Sequence, residues 1–200
     1  MSNFKHLLAQ LVLAAAAIGI CGQAAAGPIY HVDVDTTSLG TGSAYLDLYF
    51  LGLAGAPAAS ATVTHLSGAF DGAPTLTGAV TGSASGPFVF SNAGGGGDLV
   101  QRIHLGGKFS FDVSFLMDPG TTGTTFDWSL FNTTQYLGVD GDLGMLSLQP
   151  YAPLDAQIVV SAPPTQLGSV QDVPEPPTVA LVFGAMLGML AIRRKGAGRF

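Results

Sequence analysis

Aspartate and histidine are the residues of this chain most able to do chemistry, and aspartate dominates. Between residues 27 and 173 there are twelve aspartates, no glutamate and two cations, Arg102 and Lys108. In "HVDVD", His31, Asp33 and Asp35 alternate, so on a strand they share one face and form a trio of types able to bind a metal ion. The same alternation describes the wet face of an ordinary sheet, and that is the reading adopted. Asp140 and Asp142 in "VDGDLG", with Asp118 in "MDPG", are oxygen donors of the kind Ca²⁺ takes from loops. Asp-Gly pairs are also common turn chemistry, and no full Asp-x-Asp-x-Asp-Gly loop with its distal Glu is present, so no metal or cofactor is expected. Residues 94–97, "GGGG", precede Asp98 rather than a helix bearing Lys and Ser/Thr; they read as a flexible loop, not a phosphate cradle. "GSASG" has Ala84 where a nucleophile elbow needs serine. His65 and His104 show no evident acid or nucleophile partner. Glycoside hydrolysis needs two carboxyl groups, and although aspartates abound, none looks buried. Asn132 opens "NTT", a sequon by pattern alone.

Strands must position these groups. In "KFSFDVSFL", Phe109, Phe111, Val113 and Phe115 alternate with Lys108, Ser110, Asp112 and Ser114, a period of two with one wet face. "TFDWSLFN" sets Phe126, Trp128 and Leu130 against Asp127 and Ser129, and "IYHVDVD" sets Tyr30, Val32 and Val34 against His31, Asp33 and Asp35. "SAYLDLYFL", "SATVTHL", "PTLTGAVTG", "GPFVFSN", "MLSLQP" and "DAQIVVS" are further strand candidates. Short strands separated by Gly, Ser, Thr and Asp, with no strand–helix alternation, predict an all-β, β-sandwich or jelly-roll-like domain over residues 27–161. Residues 162–172 are proline-bearing at their start and read as an extended linker.

The two ends read as address labels. Lys5, an apolar run from Leu11 to Cys21, and small residues at Ala24 and Ala26 predict a signal peptide over 1–26, cut before Gly27. Its removal takes the chain's one cysteine with it, which excludes a disulfide framework. At the other end, "VPEPPTVALVFGAMLGMLAIRRK" carries an uncharged run over 178–192. As a helix it spans about 22 Å, less than a hydrocarbon core of about 30 Å. Snorkelling stems of Arg193, Arg194 and Lys195 extend it, and these cations fix a cytoplasmic end. The acidic body is thus expected outside, and its charge excludes nucleic acid as a partner.

In its order of parts, residues 173–200 resemble the PEP-CTERM sorting signal of Gram-negative bacteria. Val173, Pro174, Glu175 and Pro176 match the motif, residues 178–192 the short transmembrane helix, and Arg193, Arg194 and Lys195 the basic cluster. The resemblance implies recognition and cleavage by an exosortase in organisms that make exopolysaccharide. It also implies an inner-membrane intermediate on the way to the cell surface or extracellular matrix, with signal peptidase acting at the other end. The body, through "YHVDVDTTSLGTGSAYLDLYF" and "DLVQRIHLGGKFSFDVSF", is similar to a group of PEP-CTERM proteins, which implies a shared β-sandwich. The expectation is therefore a non-enzymatic surface or matrix protein, associated with biofilm or exopolysaccharide. A carbohydrate-binding module is the second reading, and a surface glycoside hydrolase using paired Asp the third.

Overall fold

Among the described residues, alternating apolar and polar residues build twelve strands, and their apolar faces meet in one core. The computed structural model describes residues 27–138, 141–153, 156–161 and 167–173. The expected signal segment with Ala24 and Ala26, the residues Pro174, Glu175 and Pro176, the span 178–192, the basic cluster Arg193, Arg194 and Lys195, and Asp140 lie outside the described residues.

The strands are β1 (Ile29–Asp35), β2 (Ser43–Gly52), β3 (Ala59–Ser67), β4 (Thr75–Gly78), β5 (Val80–Gly82), β6 (Phe88–Ser91), β7 (Gly96–His104), β8 (Lys108–Met117), β9 (Thr124–Phe131), β10 (Asp142–Leu148), β11 (Ile158–Ser161) and β12 (Gly168–Val173). They form two antiparallel six-stranded sheets. The first runs β12-β1-β8-β3-β6-β5 and the second β11-β10-β9-β2-β7-β4. The all-β expectation holds, and the fold is β-sandwich-like.

The core follows the period of two. Val32 and Val34, Leu46, Leu48 and Phe50, Phe109, Phe111 and Val113, and Phe126, Trp128 and Leu130 are all fully buried. Phe126 of the second sheet packs edge-on against Phe90, Phe111 and Phe115 of the first, with ring centroids 5.7–6.2 Å apart. Burial of each such side chain stabilises by roughly 2 kcal/mol, and each aromatic pair adds on the order of 1 kcal/mol. Gly144 faces Trp128 across the β9–β10 ladder. A Cβ there would overlap the indole ring, so only glycine lets the largest core side chain lie flat at this point.

Four expectations need correction. Gly168–Val173 is a strand, not a linker: it pairs with β1 from Ile29↔Val173 to Val34↔Gly168, and Leu167 is buried in front of it. This edge strand turns only Val170 toward the core, so its sequence lacks a visible apolar stripe. Gly96 and Gly97 are strand residues, not part of a flexible loop. Gly96 has φ 112° and lies so close to the Phe50 carbonyl that a Cβ would overlap it. "PTLTGAVTG" is two strands in different sheets, broken at Gly78 with φ 71°. Lastly, Asp127 and Ser129 are buried rather than wet.

Candidate functional site

The two outer faces of the sandwich carry the polar chemistry. On the first sheet, β1 and β3 flank β8, and register places His31 opposite Asp112 on one side and Thr64 opposite it on the other. The β3 ladder shifts between Thr64 and Ser67. His65 sits in this irregularity with φ 52°, a left-handed conformation that costs an ordinary residue about 1–2 kcal/mol. The distortion turns its ring toward Asp112. His31 Nδ1 lies 2.5 Å from Asp112 Oδ1 and His65 Nδ1 lies 2.7 Å from Oδ2. One carboxylate is thus gripped by two imidazoles. The hydrogen bond to Asp112 pushes the His31 pKa up. Burial alone would raise that of Asp112, but the bonds from His31 and His65 outweigh it and hold the carboxyl below its ordinary range.

Asp33 is 3.5 Å from His31 Nε2. Asp35 turns away to Thr37, whose hydroxyl (2.6 Å) and backbone N–H (3.0 Å) donate to it, and to Lys108 at 3.3 Å. These bonds lower the Asp35 pKa, with the Thr37 hydroxyl foremost. The trio seen in sequence therefore shares a face but no common point. His65, which lacked an evident acidic partner in the sequence, has one in Asp112, because the bulge is a feature of tertiary pairing.

The outer face of the second sheet is different in kind. Asp47 and Asp142 lie on either side of Ser129 in one cross-strand row, β2–β9–β10, while Asp127 lies two residues along β9 from Ser129. Tyr49 of β2 stands between Asp127 and Asp98. Its hydroxyl donates to Asp142 Oδ1 on β10, so its side chain must cross β9, and this covers Asp127 and Ser129. The result is two carboxyl oxygens, Asp47 Oδ1 and Asp127 Oδ1, buried without a hydrogen-bond partner. Desolvation, then the charges of Asp98 and Asp142, push Asp47 up to about 6. Desolvation and the charge of Asp142 push Asp127 up to about 6, against a lowering contribution from Thr125. Burial and the bond to Asp142 also raise the Tyr49 pKa, keeping its phenol protonated.

Neither cation of the described residues relieves this patch: Arg102 pairs with Asp71 at 3.1 Å and Lys108 with Asp35. Among the described residues no three His, Cys, Asp or Glu side chains already surround a common metal position. Next to the carboxylates runs an aromatic strip on the same face. Tyr45 stacks on Phe131 at 5.3 Å, and Phe131 meets Tyr136 edge-on at 6.4 Å.

Of the residues singled out in sequence, Asp142 belongs to this patch but sits on a strand rather than in a loop. Val173 closes β12, and Gly27 lies just before β1. Sequence reasoning missed Asp47 and Asp127. The available signal was the company they keep: the outward positions of β2 are Tyr45, Asp47, Tyr49 and Leu51, too bulky and apolar for a plain wet face. No family model, curated protein or solved structure matches this chain.

Proposed function

We propose that the chain is an exported, non-enzymatic protein of the cell surface or extracellular matrix, with a sandwich body delivered through its C-terminal sorting motif. The observation that supports this reading is the pairing Ile29↔Val173. It brings the first and last strands of the body side by side, so that the residue after the expected signal cut and the first residue of the Val-Pro-Glu-Pro motif emerge at one corner. A body whose two ends leave at one corner can be held close to a membrane while both ends are processed. Pro174 has no backbone N–H to donate to a ladder. In this reading an exosortase cuts near Pro174, Glu175 and Pro176, the basic cluster holds the intermediate in the inner membrane, and exopolysaccharide is the matrix partner.

The test is fractionation with mass spectrometry of both termini, in hosts with and without the sorting peptidase. Wild type should begin at Gly27 and lose its C-terminal segment. A variant with alanine at 174, 175 and 176 should remain full-length at that end in the inner membrane. Release and trimming of this variant like wild type would reduce the motif to a rigid spacer and remove the reading.

A carbohydrate-binding role is the second reading, and the Tyr45, Phe131 and Tyr136 strip favours it. Aromatic rings with one face toward solvent present flat apolar area with little side-chain entropy to lose, as sugar rings require. Binding on a glycan array that disappears in Tyr45→Ala and Tyr136→Ala would support it. The paired-Asp hydrolase is favoured less, because Tyr49 lies over the most buried carboxyl.

A further inference from the structure

We propose that the end of the sandwich from which both chain ends leave is an apolar tip that seats in the interfacial layer of a zwitterionic lipid bilayer. The proposal rests on the reading of 178–192 as a membrane span, and goes beyond it by giving the folded body a lipid contact of its own. Register places the parts. Ile29 pairs with Val173 and with Ser114 on either side, Ala59 with Met117, and Thr124 with both Gly52 and Leu148. The β2–β3, β8–β9 and β10–β11 connections therefore lie at the same end as Gly27 and Val173.

Large apolar side chains are exposed at this end. Leu53 is 66% and Leu116 70% exposed, and Leu51, Tyr151 and Val173 are exposed with them. Phe50 and Phe115 are buried, so alternation turns Leu51 and Leu116 to the outer faces of the second and first sheets, at the rim. Leu53 and Tyr151 lie in the connections themselves. Among the described residues, Tyr136 is the one large apolar side chain so exposed in a connection at the opposite end. Apolar side chains gathered where the core has no use for them mark an interaction surface. The tip is also held in shape. The Asn92 side chain accepts from the Ala59 N–H (3.0 Å) and donates to the Pro57 carbonyl (2.6 Å) and the Thr124 hydroxyl (3.2 Å), while the Asp118 N–H donates to the Ala58 carbonyl (2.8 Å). Little order has to be gained on docking.

The chain itself names the occupant. Only residues 174–177 separate Val173 from the uncharged run that begins at Thr178. Five residue steps cover at most about 18 Å, so a span over 178–192 keeps this end, and not the other, against the bilayer. Leucine and tyrosine side chains suit the boundary between headgroups and acyl chains, where an apolar face sinks about 5–10 Å. Charge selects the lipid. Among the described residues of the connections at this end, Asp118 is the one charged side chain. Asp172 stands next to Val173, and the body carries twelve aspartates against two cations. Anionic headgroups would be repelled, which leaves a zwitterionic surface held by apolar contact.

The experiment uses the chain purified from the inner membrane of a host without the sorting peptidase, carrying Cys21→Ser and one introduced cysteine with an environment-sensitive fluorophore, in phosphatidylcholine vesicles. The labelled positions are Leu53→Cys and Leu116→Cys at the tip, Ser85→Cys at the opposite end and Met186→Cys in the apolar run. Emission at 53 and 116 should shift to the blue and be quenched by a spin label placed shallow on the lipid chains. The label at 186 should be quenched by a deep one, and that at 85 by neither. Quenching at 186 with none at 53 and 116 overturns the tip and leaves the membrane span standing. Quenching at the tip with none at 186 supports the tip and removes the span. Loss at all three positions removes both. Tip labels shielded from a water-soluble quencher but untouched by either lipid quencher mean that a second copy covers the tip, which overturns the proposal. Docking is separated from mere proximity by a label at Tyr151→Cys. Its shallow quenching should be lost in Leu53→Asp with Leu116→Asp and reduced in Leu53→Ser with Leu116→Ser, which adds no charge. Unchanged quenching in both pairs would show a tip held near lipid only by its tether, and would overturn the proposal.

Discussion

The outer faces of the two sheets use the same residue and reach opposite electrostatics. On the first, Asp112 receives His31 and His65, and Asp35 receives Thr37 and Lys108. On the second, Asp47 and Asp127 keep oxygens with no donor at all. Neither difference lies in the aspartates. It lies in what register sets beside them: imidazoles across β1, β8 and β3, but Tyr49, Ser129 and further carboxylates across β2, β9 and β10. A carboxylate with donors stabilises the fold when ionised, whereas a buried one without them stabilises it only when protonated or bound to a cation.

The largest expected effect is a pH dependence with a definite sign. Asp47 and Asp127 have folded values near 6 against an ordinary 3.8. Between those values the folded chain holds more protons than the unfolded one, so stability is greatest at the acidic end and is lost as pH rises through about 6. In chelator, urea unfolding should show a loss on the order of 2–4 kcal/mol between about pH 4 and neutrality. A flat or rising profile over that window would break the contrast between the faces.

Next comes the double variant Asp47→Asn with Asp127→Asn. It removes the charge but keeps the shape, and should gain about 2 kcal/mol near neutral pH in chelator while flattening the profile. Asp112→Asn on the other face should do the reverse and lose about 1 kcal/mol. Its loss should be largest between the lowered value of Asp112 and the raised value of His31. The Asp112 contribution is present above 3.8 and lost as pH falls, while that of His31 is present below 6.5 and lost as pH rises. Equal signs for the two substitutions, measured by denaturant titration, would mean that the faces do not differ as described. The smallest effect is that of Tyr49→Phe, which deletes the bond to Asp142 and should cost about 0.5–1 kcal/mol in urea unfolding.

Much of the fold was legible in the sequence because the signal is local. Alternation in "KFSFDVSFL" and "IYHVDVD" needs only a pleated backbone to put Phe109, Phe111, Val32 and Val34 inside. The edge strand β12 was not legible, since a strand paired on one side and covered by little needs few apolar residues. The outer faces were half legible. That Asp47 and Asp127 point outward follows from the same alternation, but that Asp127 is buried and that each keeps one carboxyl oxygen shut from solvent does not. The cover over Asp127 depends on Tyr49 reaching across β9 to Asp142, a contact between residues 93 positions apart.

The sequence by itself determined which apolar residues of the clearly alternating strands face the core, the all-β class, the acidic composition, and the resemblance of residues 173–200 to a sorting signal. These depend on composition, order and a period of two, all carried by neighbouring residues. Only the tertiary structure decided that His65 meets Asp112, that Val173 ends beside Ile29, and that Asp47, Asp127 and Asp142 surround Ser129. Those are facts of register between strands distant in the chain, and a side-chain period of two names the face of a residue without naming its neighbour across the sheet.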